Sequence, residues 1–239
     1  MWTVFVAVPV ILTRHWFSTN VGVGLFPWVK LYSIIVGVLL LTALRFTQLG
    51  RYRWALAALF LMLPLNIMEA VAKDLYGTHL AHALVALTGV LLIIAVPHPV
   101  RAIRIDDSSA HRDLVYDGMS RTWIAAYSLW NWTFVYLNFP SIAGHQAAVL
   151  AAAMVIGMVE PRRWLQARAF TLAPDLIMLA TFPRFFVSLT ESTYWATPRR
   201  ENVAAGICLL AGLLYAVRSF VRNKSRSSQS AVAERLKES

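Results

Sequence analysis

The fold is decided by one apolar stretch, residues 54–72, which reads Trp54-Ala-Leu-Ala-Ala-Leu-Phe-Leu-Met-Leu-Pro-Leu-Asn66-Ile-Met-Glu69-Ala-Val-Ala72. Its length is close to the roughly 20 apolar residues that a transmembrane helix requires. Asn66, Glu69 and the following Lys73 are spaced so that all three share one helical face. Polar side chains inside a membrane helix usually face a bundle interior or a hydrated cavity. The stretch therefore predicts a membrane helix that borders a polar pocket.

The composition indicates that this helix is one of several. Apolar residues make up 58% of the 239 residues and charged residues only 14%, whereas soluble domains contain roughly 25% charged residues. Seven runs are long enough, or nearly so, to cross a bilayer: residues 27–44, 54–72, 79–96, 122–139, 146–159, 169–189 and 202–220. We predict an all-α fold, a polytopic transmembrane helical bundle of seven full spans with a short N-terminal hydrophobic segment, residues 1–12.

The basic residues predict the orientation. When alternate loops are assigned to opposite sides, most of the 22 Lys and Arg residues fall on the side of the C-terminal tail. Cytoplasmic loops carry such an excess, so the C-terminus is predicted to be cytoplasmic. Residues 1–221 would form the bundle and residues 222–239 a basic, polar tail that is disordered or weakly helical. This distribution accounts for the net charge of +10, so we expect membrane lipids and no nucleic acid as partners, while protein partners remain open.

Two interpretations of Glu69 are open. Glu69 and Lys73 have the spacing of a local ion pair near the outer end of the helix; alternatively, Glu69 binds a ligand or a proton. His79 and His82 are the candidate metal ligands, because with Glu69 they would complete a three-ligand set. The sequence lacks a paired His–carboxylate spacing, so we predict no metal and no cofactor.

A second polar stripe lies in residues 122–139. Tyr127, Asn131 and Asn138 share one helical face there. Asparagine in a membrane helix often bonds to a neighbouring helix. The stripe therefore predicts an interhelical hydrogen-bond network, the wall of a ligand site, or both.

Arg168 and Asp175 are the charged residues at and within the sixth run. They lie about two helical turns apart on one face, and Pro174 interrupts the helix beside the acid. An unpaired aspartate at this depth is unfavourable, so we expect Asp175 to pair with Arg168 or with a donor such as Asn131. A structural ion pair and a functional acid are both open.

Four strings, in this order along the chain, resemble those of a bacterial family of polytopic membrane proteins, a domain of unknown function. They are Trp28-Val-Lys30-Leu-Tyr32, Asn66-Ile-Met-Glu69-Ala70, Ala126-Tyr127-Ser-Leu-Trp130-Asn131 and Trp164-Leu-Gln166-Ala-Arg168-Ala169. The resemblance implies a location in the bacterial inner membrane. It implies no activity.

Three functions follow from the polar residues. The first is a transporter or channel for a small polar solute or ion, held as in other transporters by polar groups near the midplane. The second is a seven-helix ligand sensor or a scaffold subunit that contacts partners through the charged loop 101–117. The third is an intramembrane enzyme on a lipid, which is not favoured because the chain has no nucleophile motif and no phosphate loop. The predicted ligand-binding residues are Asn66, Glu69, Tyr127, Asn131, Asn138, Arg168 and Asp175.

Overall fold

The architecture is helical, with one small β-hairpin. The computed structural model describes residues 2–20, 23–97 and 102–238. The helices in these ranges are α1 (Trp2–Thr19), α2 (Leu25–Phe46), α3 (Arg53–Asp74), α4 (Leu80–Ile94), α5 (Arg121–Asn138), α6 (Ala143–Val159), α7 (Trp164–Thr181), α8 (Pro183–Thr190) and α9 (Pro198–Glu238). The hairpin strands are β1 (Ile103–Asp106) and β2 (Asp113–Tyr116). The predicted helical fold is confirmed, whereas the hairpin was not predicted.

Four segments are long and apolar enough to cross a membrane. They are Leu25–Phe46, Arg53–Asp74, Pro140–Val159 and Pro198–Arg222. Helix α4 is apolar but has only 15 residues, and α5 and α7 have 18 residues each. The last two carry the polar residues noted above, which lower their hydropathy. Four apolar helices fit a membrane protein, but the predicted number of seven full spans is not confirmed.

The helices pack as a closed ring. Each helix from α2 to α7 contacts the next one in the chain, and α7 contacts α2. Helix α9 packs outside the ring against α4 and α5, and α1 packs against α2 and α7. Large apolar patches on α9 stay exposed, including Leu210, Leu214 and Phe220. An outward apolar face of this kind suits contact with lipid.

Several predicted boundaries change in the structure. The run 169–189 was predicted as one helix, but the chain breaks at Phe182 between α7 and α8. Pro183 explains the break, because proline restricts the residue before it to non-helical conformations. Helix α1 extends to Thr19, beyond the predicted segment 1–12. Helix α9 continues to Glu238, where the sequence predicted a disordered or weakly helical tail.

The hairpin folds against one end of the ring. Its strands are antiparallel, with Ile103 opposite Tyr116 and Asp106 opposite Asp113. All four residues of β2 are buried, and β2 contacts α2 and α7. Part of the loop 101–117 is therefore covered by the bundle rather than free for a partner. Residue 101 lies outside the described ranges.

Trp164 lies in the interior of the bundle. Tryptophan at the end of a membrane helix is often found at the membrane surface, but here the residue is only 1% exposed, with its ring edge-on to Trp123 at 5.5 Å and to Tyr127 at 5.0 Å between centroids. This aromatic cluster fixes the first turn of α7 against α5.

Candidate functional site

A cavity of about 200 Å³ lies between the helices of the ring. A single buried water requires roughly 10–15 Å³ on the same kind of measure, so the cavity has room for several waters or a ligand. Most of the lining is apolar and comes from α2, α3, α5, α6 and α7. The polar residues of the lining are Lys30, Asn66, Tyr127, Asn131, Gln146 and Arg168.

The cavity is elongated along the helices. Its lining on α2 runs from Phe26 to Leu41, and its lining on α7 runs from Leu165 to Leu179. At about 1.5 Å per residue, each set extends for roughly 20 Å. Leu114 of the hairpin lines the cavity at the end where β2 packs on α2 and α7.

The opposite end is lined by aromatic rings. Phe26, at the beginning of α2, stacks on Phe139 at 5.7 Å between centroids and lies 5.9 Å from Phe134. All three side chains line the cavity. Both ends of the cavity are therefore bordered by apolar side chains.

Lys30 links α2 to α3 at the cavity wall. Its ammonium group donates to Asn66 Oδ1 at 2.8 Å and to Glu69 Oε2 at 3.2 Å. Asn66 lines the cavity, whereas Glu69 lies behind Lys30 and is not part of the lining. The proposed Glu69–Lys73 ion pair is wrong, because Glu69 faces α2 and pairs with Lys30.

Arg168 is a buried cation in the cavity wall. Arg168 is only 5% exposed. In the described part of the chain, its Nε and Nη1 atoms have no hydrogen-bond partner and no carboxylate lies within ion-pair distance. Lys30, a second cation, lines the same cavity. A buried charge without a partner is costly, and such sites often serve a function.

Tyr127, Asn131 and Gln146 form the polar wall on α5 and α6. Gln146 Nε2 donates to Asn131 Oδ1 at 2.9 Å. Tyr127 lines the cavity, and its ring packs against Trp123 at 5.2 Å and Trp164 at 5.0 Å between centroids. Among the residues that the structure describes, no group accepts a hydrogen bond from the Tyr127 hydroxyl. The predicted network and the predicted ligand wall thus coincide here.

Asn138 lies outside the cavity. Its amide donates to Asp74 Oδ1 at 2.7 Å, and His82 Nδ1 lies 2.8 Å from the same oxygen. These contacts join α5 to the C-terminal end of α3 and the beginning of α4. Asn138 is therefore placed in a separate polar network, although it shares the predicted stripe with Tyr127 and Asn131.

Asp175 also lies outside the cavity lining. It pairs with His145 at the beginning of α6. The expected partners Arg168 and Asn131 are wrong for this acid. Arg168 is two turns away on the same helix, so it cannot reach Asp175, whereas α6 runs alongside α7 and presents His145 at the right height.

The metal candidates are dispersed in the structure. His82 contacts Asp74, Glu69 contacts Lys30, and His79 is the exposed residue that precedes α4. Within residues 2–20, 23–97 and 102–238, no group of three or more His, Cys, Asp or Glu side chains is placed to hold a metal ion. The described residues therefore offer no ligand set for one.

A charged cluster ties the hairpin to the ring. The Asp113 carboxylate accepts hydrogen bonds from Gln166 Nε2 and Ser109 Oγ, each at 2.9 Å. Arg45 lies 3.3 Å and Arg163 3.2 Å from the same carboxylate. The hydrogen bond from Gln166 is the largest of the effects that lower the pKa of Asp113, and burial partly opposes it. The cluster holds β2 at the end of the cavity.

The sequence did not predict three residues of these networks as site residues. Lys30 was assigned to membrane topology, although it stands within one of the four strings that carry the family resemblance. Gln146 and His145 open the run 146–159 or precede it, where polar residues usually face solvent. An ion pair such as Lys30–Glu69 joins residues 39 positions apart, so it follows only from the packing of α2 on α3.

The chain belongs to a family of unknown function, described as "Family of unknown function (DUF5692)", whose family model matches residues 1–237. The resemblance found in the sequence is thereby confirmed at the level of the family. No curated protein matches the chain, and no solved structure matches it. The family supplies no activity, so the function has to be argued from the cavity.

Proposed function

We propose that this protein is a multi-pass protein of the bacterial inner membrane that binds a small polar solute or ion in its cavity and moves it across the bilayer. The C-terminus would lie in the cytoplasm. The observation that carries the proposal is the shape of the cavity. Its lining extends roughly 20 Å along α2 and α7, which is most of the roughly 30 Å of hydrocarbon in a bilayer.

The two ends of the cavity support transport further. Phe26 and Phe139 border one end, and Leu114 of the hairpin borders the other. Transporters hold their solute near the midplane and expose it to one side at a time. In this protein, movement of the aromatic rings would open one end and movement of the hairpin the other.

Uptake into liposomes tests this proposal. Purified protein would be reconstituted and supplied with labelled anions, cations and neutral solutes. We expect at least one class to enter faster than into protein-free liposomes. Ala169 lines the cavity, so Ala169→Phe should fill part of it and lower the uptake at least tenfold. The matched control is Ala147→Phe on α6, because Ala147 is exposed and the added ring would meet no wall of the cavity.

Two outcomes would contradict transport. One is the absence of uptake for every class of solute by protein that circular dichroism shows to be folded. The other is uptake by Ala169→Phe that equals the wild-type rate. Saturable binding without uptake would favour the ligand sensor, the second interpretation of the same cavity.

A further inference from the structure

The charges around the cavity do not balance. Lys30 and Glu69 form an ion pair and compensate each other. Arg168 adds a positive charge, and no acidic side chain belongs to the lining in the described ranges. The cavity wall therefore carries an excess positive charge. A cationic ligand would be repelled, whereas an anion would supply the missing partner of Arg168.

Most of the polar atoms of the wall that have no partner among the described residues can donate hydrogen bonds. Arg168 Nε and Nη1 are buried donors, and the amide nitrogen of Asn131 is a donor because the Asn131 oxygen already accepts from Gln146. The Tyr127 hydroxyl can donate or accept, and the side-chain oxygen of Gln146 is an acceptor. Guanidinium groups bind carboxylate and phosphate with two parallel hydrogen bonds. Glu69 Oε1, a buried acceptor with no partner among the described residues, lies outside the lining. The wall is thus suited to an anionic head that accepts several hydrogen bonds.

The rest of the wall is apolar. Ile34 and Val38 on α2 and Leu172 and Leu176 on α7 lie in the lining. A strongly hydrated inorganic anion would lose water against these side chains without compensation. An alkyl chain would instead bury apolar surface against them, and each buried CH₂ group would strengthen binding.

We infer that the ligand is an amphiphilic anion, with a carboxylate or phosphate head at Arg168 and an alkyl chain along the apolar lining of α2 and α7. This inference rests on the proposed function and narrows it, because it replaces the small polar solute or ion by an anion that carries an apolar chain. The head group has two sources, a free fatty acid or a phosphate-bearing lipid, and both present the same chemistry to Arg168.

Binding of radiolabelled decanoate to purified protein in a non-ionic detergent tests the inference. We expect saturable binding. Unlabelled decyl phosphate should compete if the natural head is a phosphate, and decanoate alone should compete if the site is selective for a carboxylate. Acetate, decanol and decyltrimethylammonium each lack the chain or the anionic head, so they should compete at least tenfold less well.

Variants identify the residue that holds the head. Arg168→Gln should weaken decanoate binding at least tenfold, and Arg168→Lys should weaken it less because it keeps the charge. Arg218→Gln is the matched control, since Arg218 is exposed on α9, and it should leave binding unchanged. Circular dichroism would confirm that each variant is folded.

The inference is overturned if decanoate shows no saturable binding, if decyltrimethylammonium or acetate competes equally well, or if folded Arg168→Gln binds like the wild type. These results are separable from a failure of transport. Decanoate binding without uptake of any solute would contradict the transporter and leave the anion site intact. Uptake of a neutral or cationic solute without decanoate binding would contradict the anion site and leave the transporter intact.

Discussion

Asp113→Ala is expected to lower the free energy of unfolding by about 3–5 kcal/mol, the usual cost of removing one partner from a buried ion pair. The side chain of Asp113 is 9% exposed and that of Arg45 is 7% exposed. Without the carboxylate, Arg45 keeps only its bonds to the carbonyl groups of His111 and Arg112. The measurement is chemical unfolding in non-ionic detergent, followed by circular dichroism.

Asp107 provides the control in the same hairpin. Its side chain is 77% exposed and pairs with Arg112 at the surface. Exposed ion pairs contribute roughly 0–1 kcal/mol, so Asp107→Ala should lower the free energy of unfolding by no more than about 1 kcal/mol. Equal losses for Asp107→Ala and Asp113→Ala would contradict the role of Asp113 in fastening the hairpin.

The same contact predicts a dependence on pH. The pKa of Asp113 is lowered in the folded protein, chiefly by the hydrogen bond from Gln166. Its contribution to stability is therefore complete above the unfolded pKa of about 3.9 and is lost as the pH falls through the folded pKa. The stability difference between the wild type and Asp113→Asn should shrink below about pH 4. A difference that stays constant down to pH 3 would contradict this assignment.

Lys30→Met is expected to lower the free energy of unfolding by about 2–4 kcal/mol. The upper part of the range for a broken buried pair is not expected, because the side chains of Lys30 and Glu69 are 19% and 20% exposed. The substitution leaves the Glu69 carboxylate without a cation and Asn66 Oδ1 without its donor. Chemical unfolding in non-ionic detergent measures the loss.

A second substitution separates the ion pair from simple packing. Lys30→Met combined with Glu69→Gln should recover most of the loss, since no unpaired charge remains. Lys73→Met is the control, because Lys73 makes no ion pair in the described part of the chain. If Lys73→Met lowered the free energy of unfolding as much as Lys30→Met, the result would support the Glu69–Lys73 ion pair and contradict the structure.

The helices could be predicted from the sequence because hydropathy and spacing are local properties. The run 54–72 predicted α3 within two residues at each end, and the common face of Asn66 and Glu69 is correct. The short strands of the hairpin were missed because β1 contains Arg104 and Asp106, and only burial against the ring distinguishes β2 from a loop.

The cavity could be predicted only in part. Asn66, Tyr127, Asn131 and Arg168 of the predicted set line it. Glu69 and Asn138 bond to residues of other helices and lie outside the lining, because the partner of a polar group depends on how helices pack rather than on spacing. Asp175 also lies outside the lining, because it pairs with His145 of α6.

The stability of Arg168→Met in protein stripped of bound lipid tests the central claim most directly. The claim is that the buried Arg168 guanidinium binds an anionic ligand and does not stabilise the fold when that ligand is absent. Methionine keeps much of the apolar stem and removes the unpaired charge. The account predicts that Arg168→Met unfolds at the same or a higher concentration of guanidinium chloride than the ligand-free wild type, while decanoate binding is lost. A loss of several kcal/mol, on the scale of a broken buried ion pair, would show that Arg168 is a structural residue and would contradict the account.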